Sequence, residues 1–319
     1  MLLGFDIGGT KCAVVLGIAG TNTIDIVAKE SFPTNLSAYQ IIEKLFETAE
    51  KLMSQQQITA DELSGIGISC GGPLSSKKGI ILSPPNLPGW DNIPIVEMAE
   101  KRFGKKVLLQ NDANACAVAE WKYGAGKGVD NLIFLTFGTG MGAGLILDGR
   151  LYSGVSDLAG EVGHIRLNDF GPVGFGKAGS FEGFCSGGGI AQIGQTMARQ
   201  KLQMGESVAF CKTMAHLPDI TAKCVAEAAF AGDLTAVAVY DLCAEYLGKA
   251  LSIFIDLLNP ELIILGSIYG RATNLLAPKM NKIIEQEAIA ASRAACIVVP
   301  AALSENIGDM AALSMAILS

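Results

Sequence analysis

Leu2-Leu3-Gly4-Phe5-Asp6-Ile7-Gly8-Gly9-Thr10-Lys11-Cys12-Ala13-Val14-Val15-Leu16 is an apolar run, a glycine turn and a second apolar run. Short apolar runs on either side of Gly-Gly read as two strands joined by a turn. The theme returns at 131–149. There Leu132-Ile133-Phe134-Leu135-Thr136-Phe137 leads into Gly138-Thr139-Gly140-Met141-Gly142, and Ala143-Gly144-Leu145-Ile146-Leu147 runs to the hairpin pair Asp148-Gly149. Setting Asp6 on Thr136 places Gly8 on Gly138 and Gly9 on Thr139. This reads as an internal duplication: two similar domains, each opening on a strand-turn-strand unit, expected to face each other across a cleft.

Outward from these turns the chain alternates helical and strand patterns. Ser37-x-x-Gln40 has the form of a capping box, and Ile42, Leu45, Phe46, Ala49, Leu52 and Met53 follow at helical spacing. Ser64–Cys70 and Lys106–Gln110 read as buried strands. The second runs into Asn111-Asp112-Ala113-Asn114-Ala115, where a helix is expected to begin and reach about Trp121. Later come a long apolar helix over Ala236–Leu258 and a strand over Glu261–Leu265. A helix over Pro278–Ala290 has its proline in the first turn; a strand over Cys296–Val299 and a last helix over Asn306–Leu318 complete the chain. Strands alternating with helices imply an α/β class with buried sheets.

Composition narrows the functional classes. Half of the 319 residues are apolar and 17% are charged, which suits large cores and argues against disorder. A net charge of −7 argues against a nucleic-acid partner. The eight cysteines lack a CxxC pair and read as reduced thiols, not a disulfide framework. Leu132–Leu147, the most apolar stretch, is broken by four glycines and is shorter than the roughly 20 residues of a membrane span. The early charge at Asp6 does not suit a signal peptide, so the expected location is cytoplasmic, with no membrane partner.

The turns carry the chemistry. A nucleotide triphosphate needs backbone N–H donors close to its oxygens, and glycine permits that approach. Gly8, Gly9, Thr10 and Lys11, together with Gly138, Thr139 and Gly140, suit phosphate binding, whereas one such turn alone could equally just join two strands. A dinucleotide fingerprint over Gly138–Gly144 is disfavoured, because a strand follows where that motif needs a helix. Asp6 could hold Mg2+ through water, or simply stabilise its turn. Asp112, at a strand-to-helix junction, is either an N-cap or a general base for a hydroxyl within hydrogen-bond reach.

In this order, Asp6-Ile7-Gly8-Gly9-Thr10-Lys11, Asn111-Asp112-Ala113-Asn114-Ala115, Gly138-Thr139-Gly140 and Gly160-Glu161-Val162-Gly163-His164 resemble the ROK family of bacterial sugar kinases and sugar-responsive repressors. Pro85-Asn86-Leu87-Pro88-Gly89-Trp90 and Asn259-Pro260-Glu261-Leu262-Ile263-Ile264-Leu265-Gly266 extend the likeness over nearly the whole chain. The resemblance implies a two-domain actin-like ATPase (ribonuclease H-like) fold. Its smaller domain would span 1–116 plus about 302–319, and its larger one 117–301, with a hinge near 116. It also implies an ATP-dependent kinase acting on the 6-hydroxyl of glucose or a related hexose, with Mg2+ accompanying ATP and a homodimer as the assembly. In this reading Asp112 takes the hydroxyl proton. Gly72, Asn86, Asn111, Glu161, His164 and Glu182 hold the other hydroxyls, Gly8–Lys11 and Gly138–Gly140 cradle the phosphates, and Gly266 and Ser267 lie near the adenosine.

One segment departs from the family. Many members bind a structural zinc through His and three Cys, but here the cysteine positions carry Val173, Phe175 and Ser180. Structural zinc prefers four N or S ligands, so no zinc is expected. Without zinc another hydrogen-bond acceptor is expected to orient His164, and apolar packing by Val173 and Phe175 is expected to stiffen the loop in place of the metal. Three further readings compete: an N-acetylhexosamine (N-acetylglucosamine or N-acetylmannosamine) or allose kinase, a non-catalytic sugar-sensing regulator, and a filament-forming protein. The regulator is disfavoured because Asp6 lies too near the start for a preceding helix-turn-helix. The filament would leave the sugar motifs without purpose.

Overall fold

The computed structural model describes residues 1–319 and divides into two compact units. Unit 1 comprises Met1–Asp130, Gly144–Gly160 and Ala302–Ser319; unit 2 comprises Asn131–Ala143 and Glu161–Ala301.

Unit 1 opens with β1 (Leu2–Ile7), β2 (Lys11–Ala19) and β3 (Ile24–Pro33), then α1 (Ala38–Gln55) and β4 (Gly65–Cys70). The short strands β5 (Leu74–Ser75) and β6 (Ile80–Ile81) form a hairpin ahead of α2 (Ile95–Phe103), β7 (Val107–Asn111) and α3 (Asp112–Tyr123). The next strands are β8 (Leu132–Leu135), β9 (Ala143–Leu147) and β10 (Arg150–Leu151). Unit 2 holds the hairpin β11 (Val173–Gly174) and β12 (Lys177–Ala178), then α4 (Phe181–Phe184), α5 (Gly187–Gln203), α6 (Ala222–Phe230) and α7 (Leu234–Leu258). It continues with β13 (Leu262–Leu265), α8 (Ile268–Glu287), α9 (Ala290–Ala295) and β14 (Ile297–Pro300), before α10 (Ile307–Leu318) returns to unit 1.

The duplication is visible in the sheets. The first runs β3-β2-β1-β4-β7 and the second β10-β9-β8-β13-β14. In the first, β1 pairs antiparallel with β2 and parallel with β4, and β4 pairs parallel with β7. In the second, β13 pairs parallel with β8 and with β14. Each β-turn-β unit therefore heads an equivalent sheet, and the parallel strands deliver their carboxyl ends to one edge, where α/β sheets bind ligands.

Local signals account for most boundaries. Gln40 Oε1 accepts the Ser37 N–H at 3.2 Å, closing part of the capping box that starts α1. Asp148 and Gly149 both have positive φ, as the Asp-Gly hairpin requires. Asn259 ends α7 in the left-handed conformation. One helix differs from expectation. Pro278 lies inside α8, which starts at Ile268, ten residues before the proline. Ala272 is non-helical and splits α8, so the stretch holding Pro278 begins just after that break.

Helix α10 packs on β1 and β4 across a surface made of glycines. A Cβ on Gly67 would collide with Ala312 O and Ala316 N, and one on Gly4 would lie 3.0 Å from Ala312 Cβ. The buried Glu120 carboxylate accepts N–H bonds from Ala125 and Leu303, each at 2.8 Å, which ties the end of α3 to the segment entering α10. Overpacking a filled contact costs about 1–3 kcal/mol. We expect Gly67→Ala to lower unfolding free energy by that amount in urea melts, whereas Gly71→Ala, where a Cβ meets nothing within 4 Å, leaves it near wild type.

Candidate functional site

In unit 1 the candidate residues gather at the carboxyl ends of β1, β4 and β7. Asp6 occupies the penultimate position of β1, and the turn beyond it is closed by the Gly8 N–H donating to Lys11 O at 3.1 Å. The Thr34 hydroxyl donates to Gly8 O at 2.7 Å, so the residue just after β3 steadies the turn from the side. Gly9 is needed for closeness: a Cβ there would lie 2.5 Å from Asn86 O. That contact sets Asn86 against the phosphate-type turn. Its loop is anchored by Leu87 and Trp90, both buried. In the register of β4 and β7, Cys70 pairs with Asn111, so Gly72 emerges beside Asn111; a Cβ on Gly72 would lie 3.1 Å from Asn111 Nδ2.

Helix α3 resolves the ambiguity over Asp112. The N-cap is Asn111, whose Oδ1 accepts the N–H groups of Ala113 at 3.0 Å and Asn114 at 3.4 Å. Asp112 is the first helical residue, not the cap, and its carboxylate is exposed to solvent. Surrounding protein nevertheless desolvates it, which raises its pKa; backbone N–H donation, from Ala113 at 2.8 Å, pulls the other way. Capping leaves the Nδ2 amide as the part of Asn111 suited to a ligand.

Asp6 is half-buried, with a Cβ on Gly308 predicted 2.7 Å from its Oδ2. Burial first, then the charges of Asp309 and Asp112, push its pKa up to about 6, while Lys11 and Lys29 oppose the shift. Asp309, buried on α10, is ion-paired with Lys29 at 2.5 Å. Three carboxylates thus meet at the β1 edge, and the nearby positive charge does not fully offset them.

In unit 2 the loop after β8 has the parallel construction. Gly138 N–H donates to Gly140 O at 3.0 Å, and Thr136 Oγ1 accepts the Gly142 N–H at 3.0 Å. Gly138 O accepts from Gly187 N at 2.8 Å, and Phe137 O accepts from Ile268 N at 3.0 Å. Gly138, Thr139 and Ser267 therefore share one cavity of about 880 Å3 with the start of α5. Tyr240, Phe230 and Ala222 give it an apolar wall, and Lys223 and Arg271 add cationic side chains. Its shape and lining suit a planar base with an anionic tail.

The cavity also shows what sequence reading missed. Gly187 and Gly188 line it at the N-terminus of α5, where Ser186 caps by accepting the Gly189 N–H at 3.0 Å. The signal was present as Ser186-Gly187-Gly188-Gly189, a capped helix start whose positive dipole end suits an anion although the Gly187 and Gly189 N–H groups are taken by Gly138 O and Ser186 Oγ. Lys223, Phe230, Tyr240 and Arg271 come from two further helices and α8 and carried no local signal.

Gly140, Glu161, His164 and Glu182 are not part of that cavity lining, and they assemble beside it. Glu182 Oε2 accepts the Met141 N–H at 3.0 Å, and a Cβ on Gly140 would lie 2.8 Å from the same oxygen. His164 N–H donates to Glu161 O at 3.2 Å in the short turn between them. The expected apolar packing in the departing segment is absent: Val173 and Phe175 are both exposed. Val173 instead exchanges backbone bonds with the Gln192 amide, and Phe175 meets the His164 ring at 5.0 Å and 80°. Ser180 is buried as the cap of α4.

Similarities to known proteins run the length of the chain. A sequence model of the ROK family matches residues 2–318. The glucokinase of Thermotoga maritima is 30% identical over 286 residues, covering 89% of this chain and 87% of that protein. The glucokinase of Halalkalibacterium halodurans is 32% identical over 292 residues, covering 90% and 86%. A ROK glucokinase from Streptomyces griseus, solved with glucose and AMPPNP, superimposes with a TM-score of 0.78 at 27% identity, covering 100% of this chain and 99% of that one. A ROK transcriptional regulator homologous to the Escherichia coli Mlc protein superimposes with a TM-score of 0.84 at 25% identity, covering 98% of this chain and 76% of that one.

An acid whose pKa is raised by folding destabilises the folded state above that pKa, and the penalty vanishes as pH falls toward its unfolded value near 4. Asp6→Asn should therefore raise unfolding free energy by about 1–2 kcal/mol at pH 7.5, after discounting for its half-burial. The gain should disappear between about pH 6 and pH 4, read from denaturant melts across that range.

Proposed function

The chain belongs to the ROK family of two-domain actin-like proteins, and on that premise we propose that it is an ATP-dependent hexose kinase with Asp112 as general base. The observation that carries the proposal is the division of labour at α3. Asn111 satisfies the helix start, which leaves the Asp112 carboxylate solvent-accessible at that end. Its raised pKa strengthens it as a base for a hydroxyl.

The remaining roles are those the family likeness implies, and the local geometry is compatible with them. The unit 2 cavity takes the nucleotide, with its base against Phe230, Tyr240 and Ala222 and its phosphates at Gly138–Gly140 and the Gly187–Gly188 helix start. Gly266 and Ser267 sit by the adenosine. Gly8–Lys11 supply the matching turn in unit 1. Gly72, Asn86, Asn111, Glu161, His164 and Glu182 hold the sugar hydroxyls. Phosphoryl transfer then rests on positioning and on neutralising charge. Mg2+ bound with ATP would supply part of that neutralisation. The carboxylates around Asp6, only partly offset by Lys11 and Lys29, fit a cation nearby, held through water.

Glucose or a near relative is the proposed acceptor, and N-acetylhexosamines and allose are the alternatives, since Glu161, His164 and Glu182 can bond any of them. A homodimer in the cytoplasm completes the reading; no helix is long and apolar enough to cross a membrane. The similarity to ROK regulators keeps a sugar sensor as the second reading, for instance the Escherichia coli repressor Mlc, 26% identical over 252 residues and 60% covered. The domain division of 1–116 plus about 302–319 against 117–301 belongs to the same proposal.

An ADP-release assay over a hexose panel separates these readings. Hexose-dependent turnover is expected in wild type, and Asp112→Asn should lower kcat by about 10²–10⁴-fold, the usual contribution of a general base. Sugar binding without turnover would instead identify a sensor. The kcat/KM profile for the hexose should fall toward acid pH, with an apparent pKa above the ordinary aspartate value of about 4.

A further inference from the structure

The hairpin of β11 and β12 turns at Phe175-Gly176, a two-residue loop whose central residues have φ of +44° and +74°. Positive φ at both positions is the type I′ signature, which Asn-Gly and Asp-Gly satisfy and a bulky side chain does not. Phenylalanine in the left-handed region is strained and needs a reason. Burial is not the reason, because the side chain is 66% exposed. Its ring has one aromatic partner, the imidazole of His164, approached edge to face at 5.0 Å.

The hairpin is well placed to hold that ring still. Leu167 N and Asn168 N both donate to Gly179 O, at 2.8 and 3.1 Å, and Arg166 Nη1 donates to Ala178 O at 2.8 Å. The Phe181 N–H donates to Ile165 O at 2.8 Å. Lys177, the residue after the turn, donates through Nζ to His164 O at 2.7 Å. The strand pair is thus fastened to the His164–Asn168 segment at several points. Lys177 fixes the histidine backbone, and Phe175 is left to set the rotation of its ring.

We propose that Phe175 is a positioning residue for the His164 imidazole, and that the turn tolerates a strained aromatic for that purpose. The proposal rests on the reading that His164 bonds a hydroxyl of the hexose. An imidazole reads a hydroxyl through one nitrogen in one plane, so a ring free to rotate loses the correct orientation for much of the time. A ring packed against one of its faces or edges removes that freedom without touching the sugar. Strain kept in a solvent-exposed turn is what a trade of stability for geometry looks like.

The test uses the full-length protein with Phe175→Asn, Phe175→Tyr and His164→Ala. Phe175→Asn installs the favoured Asn-Gly turn, so its melting temperature should rise by about 1–4 °C. Its KM for the hexose should nevertheless rise on the order of tenfold, with the KM for ATP within twofold of wild type. The chain holds only two histidines, His164 and His216, so the imidazole proton resonances are readily assigned by comparison with His164→Ala. The His164 signal should move in Phe175→Asn as the ring current is lost, and His216 should stay in place. Phe175→Tyr keeps the ring and should restore both the hexose KM and the His164 signal.

A Phe175→Asn protein with an unchanged hexose KM, while His164→Ala raises it, would overturn the positioning role and leave the sugar reading intact. A lower melting temperature with both KM values rising together would show a structural brace instead and overturn it equally. An unchanged hexose KM in His164→Ala would remove the reading beneath the proposal, and the proposal with it.

Discussion

Asn111 Oδ1 accepts two backbone N–H groups at the start of α3, and the chemistry open to Asp112 depends on that bond. A helix begins with unpaired N–H donors that something must satisfy. Had Asp112 been the cap, its oxygens would face the helix and be poor acceptors for a substrate proton. With Asn111 in that place, the carboxylate stands one residue further on, at the positive end of the helix dipole. Desolvation by the surrounding protein raises its pKa against the local N–H bonds.

The same economy of backbone donors shapes both glycine turns. In each, one N–H is used to close the turn, at Gly8 and at Gly138, and the side chain of a threonine or a neighbouring helix steadies the rest. Glycine is required where another segment presses close: Gly9 against Asn86, and Gly140 against Glu182. Those two contacts have a common result. Each brings a polar residue from a distant segment to the rim of a phosphate-type turn, so the turn and its neighbour arrive as one unit. The equivalence of the two sheets makes this repetition a consequence of duplication, since equal strand order presents equal turns.

The departing segment shows a different balance. Where relatives of the resembled family use metal ligands, this chain carries Val173, Phe175 and Ser180, and each has found separate work: main-chain pairing with Gln192, contact with His164, and capping of α4. A buried apolar cluster would have stiffened the loop by desolvation. What occurs is a hairpin tied down by hydrogen bonds, with its aromatic left at the surface. Backbone pairing needs no burial to be directional, which is why a short exposed hairpin can still hold a defined shape.

Sequence alone determined the fold class, the two β-turn-β units, the strand ends that carry Asp6 and Asn111, and a helix beginning within Asn111–Ala115. Each of these is a local property: hydrophobic period, glycine in a turn, or a polar residue at a helix start. Only tertiary structure decided which of Asn111 and Asp112 caps α3, since both are good caps and the choice depends on backbone geometry. It also decided that Lys223, Phe230, Tyr240 and Arg271 share a cavity with Gly138 and Ser267, because side chains on separate helices meet only through packing. Pro278 was misplaced for a related reason: a proline fits either a first turn or a stretch just past a break, and the break at Ala272 has no signature of its own. Local chemistry is written residue by residue, but a shared cavity exists only once distant segments are pressed together.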